Sequence, residues 1–164
     1  MVEPHRRQEA EGVPLHGARV LVVLSDYYDD IAGTLLAGAR RALDRAGAAC
    51  DVVTVPGALE IPQAVVLALD SSLRETWEGV VALGCVIRGE TSHYDIVAGE
   101  SARALMDIAR DRKIPIGNGI LTVDDAAQAH ARAALDGGDK GGTAAAAVLS
   151  LLRLQRGLAA RRLP

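Results

Sequence analysis

The sequence predicts an α/β fold of three layers, a four-stranded parallel sheet with helices on both faces. Short runs of Val, Leu and Ile alternate with segments whose apolar residues recur at helical spacing, in the order β-α-β-α-β-α-β-α-α. Connections of a few residues between such units give parallel strands with helices packed on either side. A length of 164 residues, 49% of them hydrophobic, suits one domain with a sizeable core.

Residues 1–17 are polar and without pattern, and read as a mobile N-terminal arm containing His5 and His16. The single domain is expected over 18–158, with 159–164 as a tail. Its first strand is the β-branched and leucine run Ala18–Leu24; the polar loop Ser25–Asp30 follows, with Asp29 or Asp30 placed to cap a helix. Ile31, Leu35, Leu36, Ala39, Leu43 and Ala46 share one face of that helix, and Gly47 stops it. Cys50–Val55 is the second strand, ending at Pro56-Gly57, and a helix runs to Asp70 with Pro62 in its first turn. Strand three spans Gly79–Ile87, and the next helix puts Tyr94, Val97, Ser101, Leu105 and Ile108 on one face. The fourth strand runs from Ile114 to Leu121, where Gly117 and Gly119 point to close approach by another backbone or a ligand. Asp124 or Asp125 opens a helix ending near Asp136-Gly137-Gly138, and Lys140-Gly141-Gly142 leads into a last helix. The first half of that helix is apolar all round, which predicts burial on more than one side, with a neighbouring subunit as part of the cover.

Composition narrows the function. A net charge of -3 gives no basic field for nucleic acid. No apolar run approaches the ~18 residues of a membrane span, and the start lacks the apolar stretch of a secretory signal. Cys50 and Cys85 fall inside strands, as reduced thiols of a cytoplasmic protein would. Phe is absent and Trp occurs once, yet Tyr27, Tyr28 and Tyr94 cluster after strands one and three, a hint of a stacking ligand.

In doubly wound sheets ligands bind beyond the carboxyl ends of the strands where the winding reverses. The end of strand two, carrying Glu60, is next door if strand two flanks strand one; the ends of strands one and three carry Asp26-Tyr27-Tyr28 and Gly89–His93, the latter within Gly84–Asp95, which reads GCVIRGETSHYD. The last passes through Gly89 and brings amides, Thr91, Ser92 and His93 to a helix start, a place that favours anions and proton transfer. Thr91 or Ser92 as a plain N-cap is the simpler reading. Glu60 can hydrogen-bond a polyol or cap its helix; Tyr27 can stack on a heteroaromatic ring or pack its loop. Arg132 and Lys140 flank the glycine-rich turn and can neutralise a phosphate or sit solvated. His130 reads as a solvated helix residue. Walker A, GxGxxG after strand one, metal-ligand spacing and a nucleophile elbow are all missing. A phosphoreceiver magnesium site would need an aspartate after strand three, where this chain has Leu83-Gly84-Cys85.

VPGALEIP at 55–62, LGCVIRGETSHYD at 83–95 and DKGG at 139–142 together resemble lumazine synthase, in order from about Ala18 to Leu158. The resemblance implies a flavodoxin-like sheet and condensation of 5-amino-6-ribitylaminouracil with 3,4-dihydroxy-2-butanone 4-phosphate. The products would be 6,7-dimethyl-8-ribityllumazine, phosphate and water, with no cofactor or metal. It implies that Tyr27 stacks on the pyrimidine, Val86 and Ile87 bind its edge through backbone groups, and Glu60 holds the ribityl chain with Lys140 nearby. Gly89, Glu90, Thr91 and Arg132 would bind the phosphate, Arg132 from an adjacent subunit, and His93 would shuttle protons. A homo-oligomer is implied, a pentamer or a multiple of pentamers, with sites between subunits. Five positions depart from the family pattern: Asp26-Tyr27 replaces Arg-Phe, Leu59 and Asn118 replace frequent aromatics, and Asp136 replaces a lysine. Ring binding should therefore rest mainly on Tyr27, and the pentamer is the expected assembly. The other functions compatible with these residues are a catalytically weak lumazine- or flavin-binding relative and a self-assembling shell.

Overall fold

The computed structural model describes residues 13–71 and 77–161. Residues 1–12 of the expected arm, His5 included, and 162–164 of the expected tail lie outside the described residues. The strands are β1 (Arg19–Ser25), β2 (Ala49–Val55), β3 (Gly79–Ile87) and β4 (Ile116–Val123). The helices are α1 (Asp29–Arg45), α2 (Glu60–Leu69), α3 (His93–Arg112), α4 (Ala126–Ala133) and α5 (Lys140–Ala160). All strand pairs are parallel in the order β2-β1-β3-β4.

The two central strands are buried along nearly their whole length, which is why their sequences are continuous apolar runs rather than alternating ones. Val20, Val22, Val81 and Leu83 face α1, α4 and α5, while Leu21, Val23, Val80 and Ala82 face α2 and α3. Side chains alternate between two cores along each strand, so a one-residue slip would exchange them.

Glycines bring α5 close to its neighbours. A Cβ on Gly117 would meet the Ala144 carbonyl oxygen, and one on Gly141 would meet the Leu35 carbonyl oxygen. The backbone approach expected at Gly117 is therefore made by α5.

Several boundaries shift for local reasons. β4 begins at Ile116 rather than Ile114, because the Ile114 N–H is used to finish α3 on Ala109 O and Pro115 has no N–H to give. It extends to Val123 by pairing with Ile87. Tyr28 is the N-cap of α1 and makes no side-chain cap bond; Asp29 and Asp30 lie inside the first turn, where their charge still complements the helix dipole. Asp125 does cap α4, accepting from Gln128 N at 2.8 Å, a bond of the type worth about 1 kcal/mol. Leu15, within the expected arm, is buried at 2% exposure and its N–H donates to Ala46 O. At the other end α5 runs on through Ala160. None of the described helices is long and apolar enough to cross a membrane.

Candidate functional site

β1 and β3 are neighbours, yet the chain leaves β1 toward β2 and leaves β3 toward β4. The winding therefore reverses between them, and a crevice opens at their carboxyl ends. An open cleft of about 470 Å³ lies there, lined by Tyr27, Tyr28, Gly57, Leu59, Glu60, Val86, Ile87 and His93, among others. The residues named come from strand ends, the loops after them and the first turns of the helices that follow.

Glu60 stands in the first turn of α2, and its Oε2 lies over Gly57, where an added Cβ would sit 2.6 Å away. That turn is closed by the Glu60 N–H donating to Gly57 O at 3.3 Å. Leu59 precedes it as N-cap. His93 is the first residue of α3, exposed, with its N–H donating to Thr91 Oγ1 at 3.3 Å. Among the described residues, the N–H groups of Gly89, Glu90 and Thr91 donate to no protein acceptor. That loop is braced from one side by Arg88. Its guanidinium lies 4.0 Å from the Tyr94 ring centroid and reaches Asp124 at 3.2 Å and Asp95 at 3.5 Å. The amides of the loop and the amino end of α3 together form a surface suited to a small anion.

Tyr27 is 71% exposed and meets Tyr28 edge-on, with ring centroids 5.0 Å apart. Tyr28 is half-buried in the same wall, and its hydroxyl is pushed up in pKa by burial, then by Tyr27 and Cys85. Cys85 is buried, which pushes its thiol up to about 11, so at neutral pH it is a protonated wall residue and not a nucleophile. Both Tyr28 and Cys85 line the cleft, though the sequence pattern offers a specific role for neither. The signal was the strand-end clustering of tyrosines, which does not say which ring faces inward.

Asn118, Arg132 and Lys140 do not join this group. They line a second, smaller cleft of about 300 Å³ on the outer side of β4, with Thr122, Thr143 and Ala147. Asn118 lies within the strand, paired with Ala82 in register, and its Oδ1 accepts from Ile120 N at 3.0 Å. Arg132, near the end of α4, is exposed and gives one guanidinium N–H to Gln128 O at 3.1 Å. Lys140 opens α5 beside it. One chain thus carries an aromatic, carboxylate and imidazole cleft at its strand ends, and a cationic cleft along its free sheet edge. Among the described residues, no group of three or more His, Cys, Asp or Glu is arranged to hold a metal ion.

Residues 17–156 match the family model of 6,7-dimethyl-8-ribityllumazine synthase. A relative of that name from Azorhizobium caulinodans is 57% identical over 158 residues, covering 95% of this chain and 98% of its own. One from Methylobacterium radiotolerans is 57% identical over 156 residues, covering 93% of each. One from Rhodopseudomonas palustris is 51% identical over 161 residues, covering 97% of this chain and 99% of its own. With the parallel sheet, the strand-end cleft and matches of this extent, the chain belongs to the 6,7-dimethyl-8-ribityllumazine synthase family.

Proposed function

We propose that the protein condenses 5-amino-6-ribitylaminouracil with 3,4-dihydroxy-2-butanone 4-phosphate, releasing phosphate and water and forming 6,7-dimethyl-8-ribityllumazine. The observation that carries this reading is the strand-end cleft, where Tyr27, Glu60 and His93 line one space beside the amide-rich loop Gly89–Thr91. In this reading the pyrimidine lies against Tyr27, with Val86 and Ile87 backbone groups at its edge and Leu59 beside it. Glu60 accepts hydrogen bonds from the ribityl hydroxyls.

The phosphate takes the N–H groups of Gly89, Glu90 and Thr91, with the Glu90 carboxylate turned to solvent because its charge repels the anion. Water loss and phosphate departure both need protons moved. His93 stands at the helix start and lines the cleft, where its imidazole can carry them. Holding an amine against a carbonyl is itself a large part of such a catalysis, so His93 assists a reaction that positioning has already favoured.

Arg132 and Lys140 enter from another copy of the chain. They sit along the free edge of β4, apart from the strand-end cleft of their own subunit. A homo-oligomer that sets the cationic cleft of one copy against the strand-end cleft of the next completes the site, with Arg132 on the phosphate, Lys140 by the ribityl chain and Asn118 at the rim. We take the assembly to be a pentamer in the cytoplasm, with Cys50 and Cys85 as free thiols.

The test is turnover. Purified protein with both substrates under nitrogen should form lumazine, followed by absorbance, well above a protein-free control. A rate equal to the control from folded oligomer would contradict the proposal and leave lumazine or flavin binding as the function.

A further inference from the structure

We infer that Arg41, a residue of α1 that lines neither cleft, is a positioning residue for Arg132 and Lys140. The inference rests on the reading that these two cations meet substrate. One Arg41 guanidinium nitrogen donates to Asp139 Oδ2 at 2.8 Å and to Leu135 O at 3.1 Å. These two acceptors bracket the turn Leu135–Asp139, which links α4, carrying Arg132, to α5, beginning with Lys140.

The turn needs such a tie. Asp139 is one of the two non-glycine residues with positive φ among the described residues, at 41°, a conformation less favourable for a residue with a side chain than for glycine and helped by local hydrogen bonds. Its side chain, 17% exposed, is held by Arg41 on one oxygen and accepts from Gly142 N at 3.2 Å on the other. Asp139 therefore caps α5 and anchors it to α1 at once. Releasing the guanidinium frees Asp139 to leave the left-handed region, and Lys140, the next residue, turns with it.

Arg132 is coupled through the same turn. An added Cβ on Gly138 would lie 2.7 Å from both Arg132 Cα and Arg132 O, so the turn rests on the Arg132 backbone. Close packing on the other side removes slack: an added Cβ on Gly38 would meet Asp139 Oδ1. A shift at Leu135 or Asp139 is thus passed to both cations.

The test is steady-state kinetics of Arg41→Gln and Arg41→Lys beside wild type, with thermal unfolding and light scattering to establish folding and assembly. Arg41→Gln should raise KM for the phosphorylated butanone about tenfold while kcat stays within about threefold, since misplacement of binding groups is costly and the His93 cleft is untouched. Arg41→Lys, which keeps a cation on Asp139, should recover most of that loss. In an Arg132→Ala/Lys140→Ala background, Arg41→Gln should add less than about twofold, because residues acting through one another are not additive.

KM unchanged in both single variants, with only the melting temperature lowered, would overturn the positioning role and leave a structural brace. A full penalty persisting in the double-alanine background would overturn it too. Wild-type protein without turnover above the protein-free control would overturn the functional reading and this inference together, whereas wild-type turnover with an unaffected Arg41→Gln would overturn this inference alone.

Discussion

The two clefts are built in different ways. The strand-end cleft is made of side chains projected from a loop and two helix starts: Tyr27 after β1, Glu60 at the start of α2, His93 at the start of α3. Its frame is the sheet, whose central strands are fully packed on both faces. The β4-edge cleft is made by backbone proximity, with α5 drawn against β4 and α1 by glycines at 117 and 141, and with a turn tied down by Arg41 and Asp139. The first can vary its side chains without disturbing the frame; the second cannot gain a methyl group without moving a helix. Aromatic, carboxylate and imidazole chemistry sits in the first and cationic chemistry in the second. Under the proposed function the two clefts are complementary halves, one from each of two copies of the chain.

The largest effect should fall on the backbone-built cleft. Gly141→Ala places a methyl against the Leu35 carbonyl oxygen, and relieving that overlap should cost about 3 kcal/mol, read by urea unfolding. Glu90→Ala, in an exposed loop of the other region, should cost less than about 0.5 kcal/mol. Equal costs would remove the contrast between the two constructions.

Next comes His93→Ala, which should lower kcat about 100-fold with the KM values nearly kept, because proton transfer is lost while positioning survives. Complete loss of turnover with substrates still bound would give the chemistry to His93 entirely. Arg132→Ala sharpens the division of labour from the other cleft. It should raise KM for the butanone phosphate about tenfold, and KM for the pyrimidine far less. Equal changes in both would place Arg132 away from the phosphate.

The smallest effect lies at the opposite end of the sheet. Trp77 and then Arg19 hydrogen-bond Asp51, each at 2.7 Å, and hold its carboxyl below the usual carboxylate range. Stability from this lowered pKa is fully present above the unfolded value of about 3.9 and is lost as pH falls through the lower folded value. Solvent screens the pair, so the contribution is small. Asp51→Asn should melt slightly below wild type at pH 7, the gap closing below about pH 4, with turnover unchanged. A gap independent of pH would show that the carboxylate charge is not what matters.

Much of this was legible in the sequence because it depends on local pattern and topology. Unbroken apolar runs marked β1 and β3, since strands covered on both faces have no solvent side to alternate with. Strand-end residues such as Tyr27, Glu60 and His93 could be grouped because a reversal in winding brings those ends together whatever the side chains are. The separate placement of Asn118, Arg132 and Lys140 was not legible from pattern, because a residue's position along the chain does not say which edge of a sheet it faces. The implied role of Arg132 from an adjacent subunit came from family resemblance alone. Arg41 was invisible for a related reason: its partner Asp139 lies 98 positions away, and the left-handed turn that makes the bond matter has no signature in a lone aspartate. The cap of α1 was misplaced by one or two residues, as Tyr28 took the N-cap with no side-chain bond.

The most direct test of the account is complementation between copies. His93→Ala and Arg132→Ala chains are co-expressed, the mixed oligomers isolated with separate tags, and turnover measured at limiting butanone phosphate. If each site draws one cleft from each of two copies, random mixing leaves about a quarter of the sites with both groups intact. Activity should then rise well above that of either parent oligomer. Activity equal to the mean of the two parents would mean that both groups act within a single chain, and would contradict the account.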